Sequence, residues 1–384
     1  MDTAENKPAT AAPKQPAGLE GVVAAQSSIG DVDGERGRLI YQGYDIHDLA
    51  RNSTFEETIF LLWHGRLPKH DELDELRRQL ADNQALPAEV LDLMRRFPPG
   101  AEPMDSLRTA VSALAFYDAG ARDLSREGAL RTATRLTAQL PVVVAAIERL
   151  RRGEEPVAPR AGLGLAAGFL YMLKGVESNE REARIFDVCL ILHADHELNA
   201  STFTARVVAG TLADMYGAVA AAIAALSGPL HGGANTNVMK MLLEIGGVER
   251  AEGWMLEALA QRKKIMGFGH RVYRTEDPRS THLRDFAREL GEAKGDTRWI
   301  DILDRLREVM FREKKLYPNV DYYSGAAYHM MGIPLDLFTP IFAVSRISGW
   351  TGHILEQYAN NRLIRPRAEY TGPRDLEYVP LDER

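Results

Sequence analysis

The feature that most constrains the fold is the return of apolar residues at helical spacing through most of the chain. After the first forty or so residues, apolar side chains recur every three or four positions in five well-separated segments: EETIFLLWHG (56–65), SLRTAVSALAFY (106–117), LTAQLPVVVAAIERL (136–150), ARIFDVCLILHADH (183–196) and TRWIDILDRLREVMFREKK (297–315). Proline and glycine interrupt this pattern at Gly228-Pro229, Asp277-Pro278, Tyr317-Pro318 and Gly332-Ile333-Pro334. The sequence therefore predicts an all-α fold whose polar candidate residues lie at helix ends and in loops.

The N-terminal region departs from the helical pattern. Residues 1–17 are rich in Ala, Pro, Lys and Thr without periodicity, and such a composition predicts a disordered tail. Residues 22–43 contain two short β-prone runs, which predict a small β-hairpin with its turn at Asp31–Gly34.

Length and charge limit the possible classes of protein. A chain of 384 residues is longer than a single core usually supports, so we expect two domains with a cleft between them. The net charge of -7, from 47 basic and 54 acidic residues, comes without a basic block, which argues against a nucleic-acid partner. Neither a P-loop nor a glycine-rich dinucleotide motif is present.

Cysteine content and apolar stretches indicate the compartment. The single cysteine, Cys189, cannot form an internal disulfide and lies in the apolar run FDVCLIL, which fits a reducing cytoplasm. The N-terminus has no apolar signal region, and the apolar stretch at 216–226 is too short to span a bilayer. We expect a soluble cytoplasmic protein without a membrane partner.

Two histidines lie in glycine-rich settings. His231, in SGPLHGGAN, precedes a predicted helix, and the helix N-terminus disfavours a charged imidazole there, so a neutral hydrogen-bond donor to a developing enolate oxygen is expected. His270, in GFGHRVYR, follows glycines that let the backbone approach a ligand closely. His231 could also be an ordinary turn histidine with a solvated ring.

Arginines and one aspartate complete the set of candidates. Asp277-Pro278 predicts a helix N-cap, which places Arg279 in a first turn that favours anions. Arg346 lies in the apolar run IFAVSRISGW, where a buried guanidinium needs a carboxylate, either internal or from a substrate. Asp321, expected in the partly apolar loop YPNVDYYSG, is the candidate general base. Together these groups suggest an enzyme that acts on a polycarboxylate.

A metal site is the competing interpretation. His193 and His196 share a helix face and, with His231, could support a metal-dependent hydrolase. The pair lacks HExxH spacing, no thiolate cluster is present, and a hydrogen-bonded core histidine is the simpler interpretation of His193.

In combination, the motifs GPLHGGAN, GFGHRVYR...DPR and YPNVDYYSG resemble those of the citrate synthase family, and the resemblance runs from about Gly18 to the C-terminus. The short N-terminal region is similar to the compact dimeric type rather than the longer NADH-regulated hexameric type. The resemblance implies a two-domain helical homodimer, with a large domain at 18–232 and 336–384 and a small domain at 233–335. It also implies condensation of acetyl-CoA with oxaloacetate, with no metal or other cofactor.

The resemblance also assigns roles to residues. His231, His270 and Asp321 would be catalytic, and oxaloacetate would be bound by His196, Arg279, Arg346 and Arg365, the last reaching the neighbouring subunit's site. Coenzyme A would contact Lys264, Ile265, Met266, Gly267, Phe268 and Arg274. The alternatives are a 2-methylcitrate synthase using propionyl-CoA, the metal-dependent hydrolase, and a catalytically silent relative that only binds carboxylates.

Overall fold

The structure is a computed structural model that describes residues 17–19 and 21–384. Most of the predicted tail, residues 1–16, therefore lies outside the described residues. The predicted all-α class is confirmed, because the described residues form sixteen α-helices and one small sheet. No helix in this part of the chain is long and apolar enough to cross a membrane.

The small sheet has three antiparallel strands: β1 Gly30–Asp33, β2 Arg38–Tyr41 and β3 Tyr44–Asp45. In the β1–β2 pair Gly30 lies opposite Tyr41 and Asp33 opposite Arg38, so the turn spans 34–37. The prediction of a hairpin is confirmed, but its turn was placed three residues too early. The Asp33 side chain accepts a hydrogen bond from the Arg36 amide at 2.9 Å, and this local bond forms the turn after the aspartates rather than between them.

The first eight helices are α1 Ile46–Asn52, α2 Phe55–His64, α3 His70–Asp82, α4 Ala88–Arg95, α5 Pro103–Leu114, α6 Arg126–Arg151, α7 Leu165–Lys174 and α8 Glu180–His193. The second eight are α9 Ala200–Ala209, α10 Met215–Leu226, α11 Ala234–Ile245, α12 Val248–Ala260, α13 Pro278–Lys294, α14 Arg298–Lys314, α15 Val320–Met330 and α16 Phe338–Ala359. Short 3-10 turns lie at Ala17–Leu19, Ala115–Tyr117, Leu335–Leu337 and Leu381–Glu383.

Helix α16 is the centre of the larger packed group. It is buried on nearly all sides and packs against α2, α6, α8, α9 and α10. A helix that is apolar all round must be surrounded by other elements, which explains why the run IFAVSRISGW is so poor in charge. Arg346 is therefore buried in the interior of the protein.

A second packed group consists of α11 to α15, in which α13 and α11 both lie against α15 and α12 lies against α14. This group meets the first where α13 contacts α1 and α8, and where α11 contacts α16. His196, His231, Arg279 and Asp321 lie near this meeting line, at or next to the ends of α8, α11, α13 and α15.

Candidate active site

Four segments converge to form the site. His196 follows the end of α8, His231 precedes α11, His270 lies in the connection from α12 to α13, and Asp321 belongs to the first turn of α15. These four positions agree with the prediction that polar candidates lie at helix ends and in loops, whereas Arg346 departs from it because it lies in the middle of α16. Asp321 differs from the sequence-based expectation in being helical, because Asn319 caps α15 by accepting a hydrogen bond from the Asp321 amide at 3.1 Å.

The rings of His196 and His270 lie together. Their centroids are 5.1 Å apart in an edge-to-face arrangement, and Tyr273 packs against both rings. The Tyr273 hydroxyl lies 3.3 Å from His196 Nε2. Burial, reinforced by Arg279, holds the pKa of His196 well below its usual value, so this ring is neutral at neutral pH.

The tautomer of His270 is determined by its own loop. The backbone amides of Val272 and Tyr273 both donate to His270 Nδ1, at 3.0 and 3.1 Å. An amide can only donate, so Nδ1 is unprotonated and the ring proton lies on Nε2. Burial and Arg279 lower the pKa of His270 to about 4, which makes the ring a neutral Nε2–H donor.

His231 has the opposite tautomer. Its Nε2 lies 3.2 Å from the Ser201 amide, which donates to it, and 2.8 Å from the Ser201 hydroxyl. The ring proton is therefore on Nδ1. Burial and Arg346 lower the pKa of His231 to about 4. The expectation of a neutral ring near a helix N-terminus holds, but the amide that contacts the ring belongs to α9 and not to α11.

The pKa of the Asp321 carboxyl group lies close to neutral pH. Burial raises its pKa to about 6, against the opposing effect of Arg279. The side chain is half-buried, and among the described residues its fully enclosed Oδ1 has no hydrogen-bond partner. A carboxylate with this pKa is ionised at neutral pH and is a stronger base than an exposed aspartate.

Arg279 already has a carboxylate partner. Its Nε and Nη2 donate to the two oxygens of Asp277 at 2.9 and 2.7 Å, and both residues are almost wholly buried. The predicted cap is confirmed, since Asp277 also accepts from the Arg279 amide at the start of α13. The pair holds the guanidinium rigidly and leaves Nη1 as the nitrogen that can face a ligand.

Arg346 has no ion-pair partner among the described residues. Its Nε donates to the backbone oxygen of His193 at 2.7 Å, and its guanidinium lies 4.7 Å from the centre of the Phe342 ring. Burial lowers its pKa to about 10, so it remains charged at neutral pH. Arg346 is close enough to influence the pKa values of His196, His231 and Asp321, which makes it their common neighbour.

The loop before His270 is tied to the start of α15. Gly269 donates to the Tyr317 oxygen at 2.9 Å, and Asn319 donates from its backbone to Gly267 and from its side chain to Gly269, each at 2.9 Å. Gly267 has φ +83°, and a Cβ there would lie 2.7 Å from the Tyr322 ring. This bracing joins the loop of His270 to the helix of Asp321.

The other residues assigned to coenzyme A lie around this braced loop. Lys264 and Arg274 are exposed, Ile265, Met266 and Phe268 are half-buried, and the backbone of Arg274 donates to Gly34 at 2.9 Å. The β1–β2 turn therefore covers the connection that follows His270. Arg365 is exposed and lines a groove of about 770 Å³ with residues that include Gln26, Arg206 and Glu356. None of His196, His231 and His270 lines this groove.

His193 does not join the other histidines. Its ring is fully buried against Phe342, its Nδ1 lies 2.8 Å from the Cys189 oxygen, and burial lowers its pKa to about 3. His196 instead packs on His270, and His231 faces Ser201. In the described part of the chain no three His, Cys, Asp or Glu side chains are grouped to hold a metal ion.

Two residues of the site were missed by sequence reasoning. Tyr273 contacts His196 and His270, yet nothing in GHRVYR distinguishes it from a surface tyrosine. Ser201, which contacts His231, follows Asn199, and the cap formed by Asn199 on α9 was a signal that could have placed Ser201 at a helix start.

Taken together, the fold and the site define a helical protein that brings together three neutral imidazoles, one basic carboxylate and two buried arginines. The chain belongs to the citrate synthase family, whose members are acyltransferases: a family model described as citrate synthase, C-terminal domain, matches residues 18–367. Citrate synthase 2 of Bacillus subtilis is 53% identical over 368 residues, covering 96% of this chain and 98% of that protein. The 2-methylcitrate synthase 1 of Corynebacterium glutamicum is 42% identical over 372 residues, covering 96% and 98%.

Solved structures agree with this assignment. Citrate synthase from Pyrobaculum aerophilum superposes with a TM-score of 0.91 at 43% identity, and all of both chains is covered. Citrate synthase from Thermoplasma acidophilum, solved as a ternary complex with carboxymethyl coenzyme A and oxaloacetate, superposes with a TM-score of 0.91 at 33% identity, covering 96% of this chain and 98% of that one.

Proposed function

We propose that the protein condenses acetyl-CoA with oxaloacetate and water to give citrate and CoA, the entry reaction of the tricarboxylic acid cycle. One observation carries the proposal: Arg346 is a buried cation without an ion-pair partner among the described residues, next to three acid/base candidates. A buried unpaired charge is costly, so a substrate carboxylate is the group that would compensate it. Oxaloacetate supplies two.

The first chemical step is removal of a proton from the methyl group of acetyl-CoA. Asp321 accepts this proton, and its raised pKa makes the transfer less unfavourable. The Nδ1–H of His231 donates to the thioester oxygen as the enol forms, a contribution of about 3 kcal/mol for a single oxyanion donor. His231 can donate there because the Ser201 amide occupies its other nitrogen.

The second step is attack of the enol carbon on the oxaloacetate ketone. The new carbon–carbon bond forms as the C=O π bond breaks, and the resulting oxyanion takes up one proton, which balances the proton that the methyl group lost to Asp321. The Nε2–H of His270 donates to the ketone oxygen and makes the carbonyl carbon more electrophilic. His196, Arg279 through Nη1, and Arg346 hold the dicarboxylate. Water then hydrolyses the citryl thioester and releases CoA.

The two packed groups of helices support a division of the chain into two domains. In this proposal residues 18–232 and 336–384 form the large domain and residues 233–335 the small one. The small domain closes over oxaloacetate before the acyl-CoA reacts, which keeps water from hydrolysing acetyl-CoA prematurely. Lys264 to Phe268 and Arg274 contact CoA, and no metal or prosthetic group takes part.

The proposal includes a cytoplasmic homodimer in which Arg365 completes the site of the partner subunit. The exposure of Arg365 and its separation from the histidine cluster within one chain support this assignment.

The test is release of free CoA thiol from acetyl-CoA and from propionyl-CoA, each with and without oxaloacetate. We expect oxaloacetate-dependent release, a higher kcat/KM for acetyl-CoA, and no effect of EDTA. Since one methylene changes discrimination by about 1–3 kcal/mol, both thioesters can react. The ratio of the two kcat/KM values therefore identifies the preferred substrate. A ratio that favours propionyl-CoA would assign the chain to 2-methylcitrate synthesis, the alternative that the 42% identical relative represents. Oxaloacetate binding without CoA release would indicate a silent relative.

A further inference from the structure

A second histidine network lies behind the turn that presents His196. Asp195 and His353 are fully buried, and His353 Nε2 lies 3.2 Å from Asp195 Oδ1. The other oxygen of Asp195, Oδ2, accepts a hydrogen bond from the Glu197 amide at 3.1 Å. Asp195 directly precedes His196 and bonds to the residue that follows it, so this carboxylate fixes the turn that contains His196.

The protonation of His353 follows from its second neighbour. Arg206 Nη1 lies 3.2 Å from His353 Nδ1, and a guanidinium can only donate. Nδ1 is therefore the acceptor, and the ring proton lies on Nε2, facing Asp195. Neither His353 Nε2 nor Asp195 Oδ1 has a well-formed hydrogen bond in the described part of the chain, and at 3.2 Å each is the other's polar neighbour. Buried polar atoms are normally satisfied, so each atom is the other's partner.

The supporting residues restrict movement of the network. Arg206 forms an ion pair with Glu356 and donates to Gln357 at 3.1 Å. Two glycines also enclose the Asp195 carboxylate, because a Cβ at Gly30 would lie 2.5 Å from Oδ2 and one at Gly349 would lie 2.7 Å from Oδ1. The backbone at these two glycines therefore packs closely against both oxygens of the Asp195 carboxylate.

We propose that His353 is a positioning residue for oxaloacetate: through the 3.2 Å contact of its Nε2 with Asp195 Oδ1, it holds the turn that presents His196 and fixes a negative charge near Arg346. The effect on Arg346 has independent support, since Asp195 is the strongest of the charges that oppose the burial-induced lowering of the Arg346 pKa. The inference rests on the proposed function, because it concerns the binding of that reaction's dicarboxylate.

The test compares His353→Gln with His353→Leu. A glutamine amide can accept from Arg206 and donate to Asp195, whereas leucine has similar bulk and can do neither. We expect His353→Leu to raise the KM for oxaloacetate at least tenfold, because the buried Asp195 carboxylate loses its polar neighbour. His353→Gln is expected to stay within about threefold of the wild type, because both contacts are restored.

The matched control is Thr351→Val, a buried polar residue of the same helix, whose hydroxyl accepts from Trp63 at 2.8 Å rather than facing Asp195. It should lower the melting temperature without changing the KM for oxaloacetate. Equal KM values for the leucine and glutamine variants, or an equal rise in Thr351→Val, would overturn the inference.

Two further outcomes are a leucine variant that does not fold and a wild-type protein that has no activity, and each has its own measurement. If His353→Leu does not fold, His353→Asn replaces it, because its side chain is too short to reach both partners and should raise KM more than glutamine does. An asparagine variant with the KM of the glutamine variant would then overturn the inference. If the wild type itself releases no CoA with oxaloacetate, the proposed function fails, and direct calorimetry of oxaloacetate binding to the same variants still tests the role of His353.

Discussion

At the scale of single residues, the ionised form of Asp321 that serves as a base lowers the stability of the folded protein. Its pKa is about 6 in the fold and 3.8 in an unperturbed side chain, so the folded protein binds more protons between about pH 4 and 6. The free energy of unfolding therefore falls as the pH rises from about 4 to 6, and above about pH 6 it remains at the lower value. The cost of the ionised form is on the order of 3 kcal/mol at most.

Asp321→Asn should consequently raise the melting temperature at pH 8 and leave it nearly unchanged at pH 4, because the amide does not ionise. The same variant should lose about 10²–10⁴-fold in turnover, because the proton acceptor is gone. Scanning calorimetry at the two pH values and a thiol-release assay measure both effects. Near-normal turnover would remove Asp321 from the role of base.

The pH dependence of activity follows from the same carboxylate. A base must be deprotonated to act, so kcat/KM should fall below about pH 6, the pKa to which burial raises Asp321. His231 and His270, with pKa values near 4, stay neutral through this range. A pH profile of kcat/KM from pH 5 to 8 that is flat across pH 6 would contradict the assignment.

Arg346→Met tests whether the buried guanidinium serves the ligand rather than the fold. Because Arg346 lacks an ion-pair partner among the described residues, removing its charge should leave the melting temperature unchanged or higher. The stabilisation by oxaloacetate should nearly vanish, whereas a wild-type protein at one hundred times Kd gains about 2.7 kcal/mol. Thermal unfolding of the variant with and without oxaloacetate distinguishes the two roles. A large loss of stability in the absence of oxaloacetate would mean that Arg346 serves the fold.

At the scale of elements, helix α16 approaches the turn after α8 so closely that only glycine fits. A Cβ at Gly349 would lie 2.4 Å from the Ala194 backbone oxygen. Gly349→Ala should cost about 1–3 kcal/mol of stability through overpacking, despite the better helix propensity of alanine. The matched control is Gly253→Ala in α12, where a Cβ would meet nothing within 4 Å. It should gain up to about 1 kcal/mol in urea unfolding. Equal effects at the two sites would exclude steric contact as the cause.

At the scale of the whole molecule, the proposed dimer makes each site depend on two chains. Arg365→Ala and Asp321→Asn should each be inactive alone, but mixing them should restore part of the activity, because exchanged dimers contain one site with both intact residues. Mass spectrometry of the mixture verifies that subunits have exchanged. Exchange without recovery would show that Arg365 does not act across the dimer.

The sequence alone determined the features that depend on neighbours along the chain. Apolar periodicity predicted the helices, and Asp277-Pro278 predicted the start of α13, because capping bonds span only two or three residues. The motifs around His231, His270 and Asp321 identified the family, now confirmed by the match over residues 18–367. The turn of the hairpin was misplaced because the pattern of β-prone residues does not reveal which aspartate forms the local bond.

Only the tertiary structure decided the electrostatic state of the site. The tautomer of His231 depends on Ser201 in another helix, and the pKa of Asp321 depends on burial by elements distant in sequence. The sequence left open whether Arg346 had an internal carboxylate, and the fold provides no ion pair for it within the described residues. Burial and hydrogen bonding are properties of the packed molecule, because they depend on which atoms exclude water from each group, and residue types along a chain do not specify that arrangement.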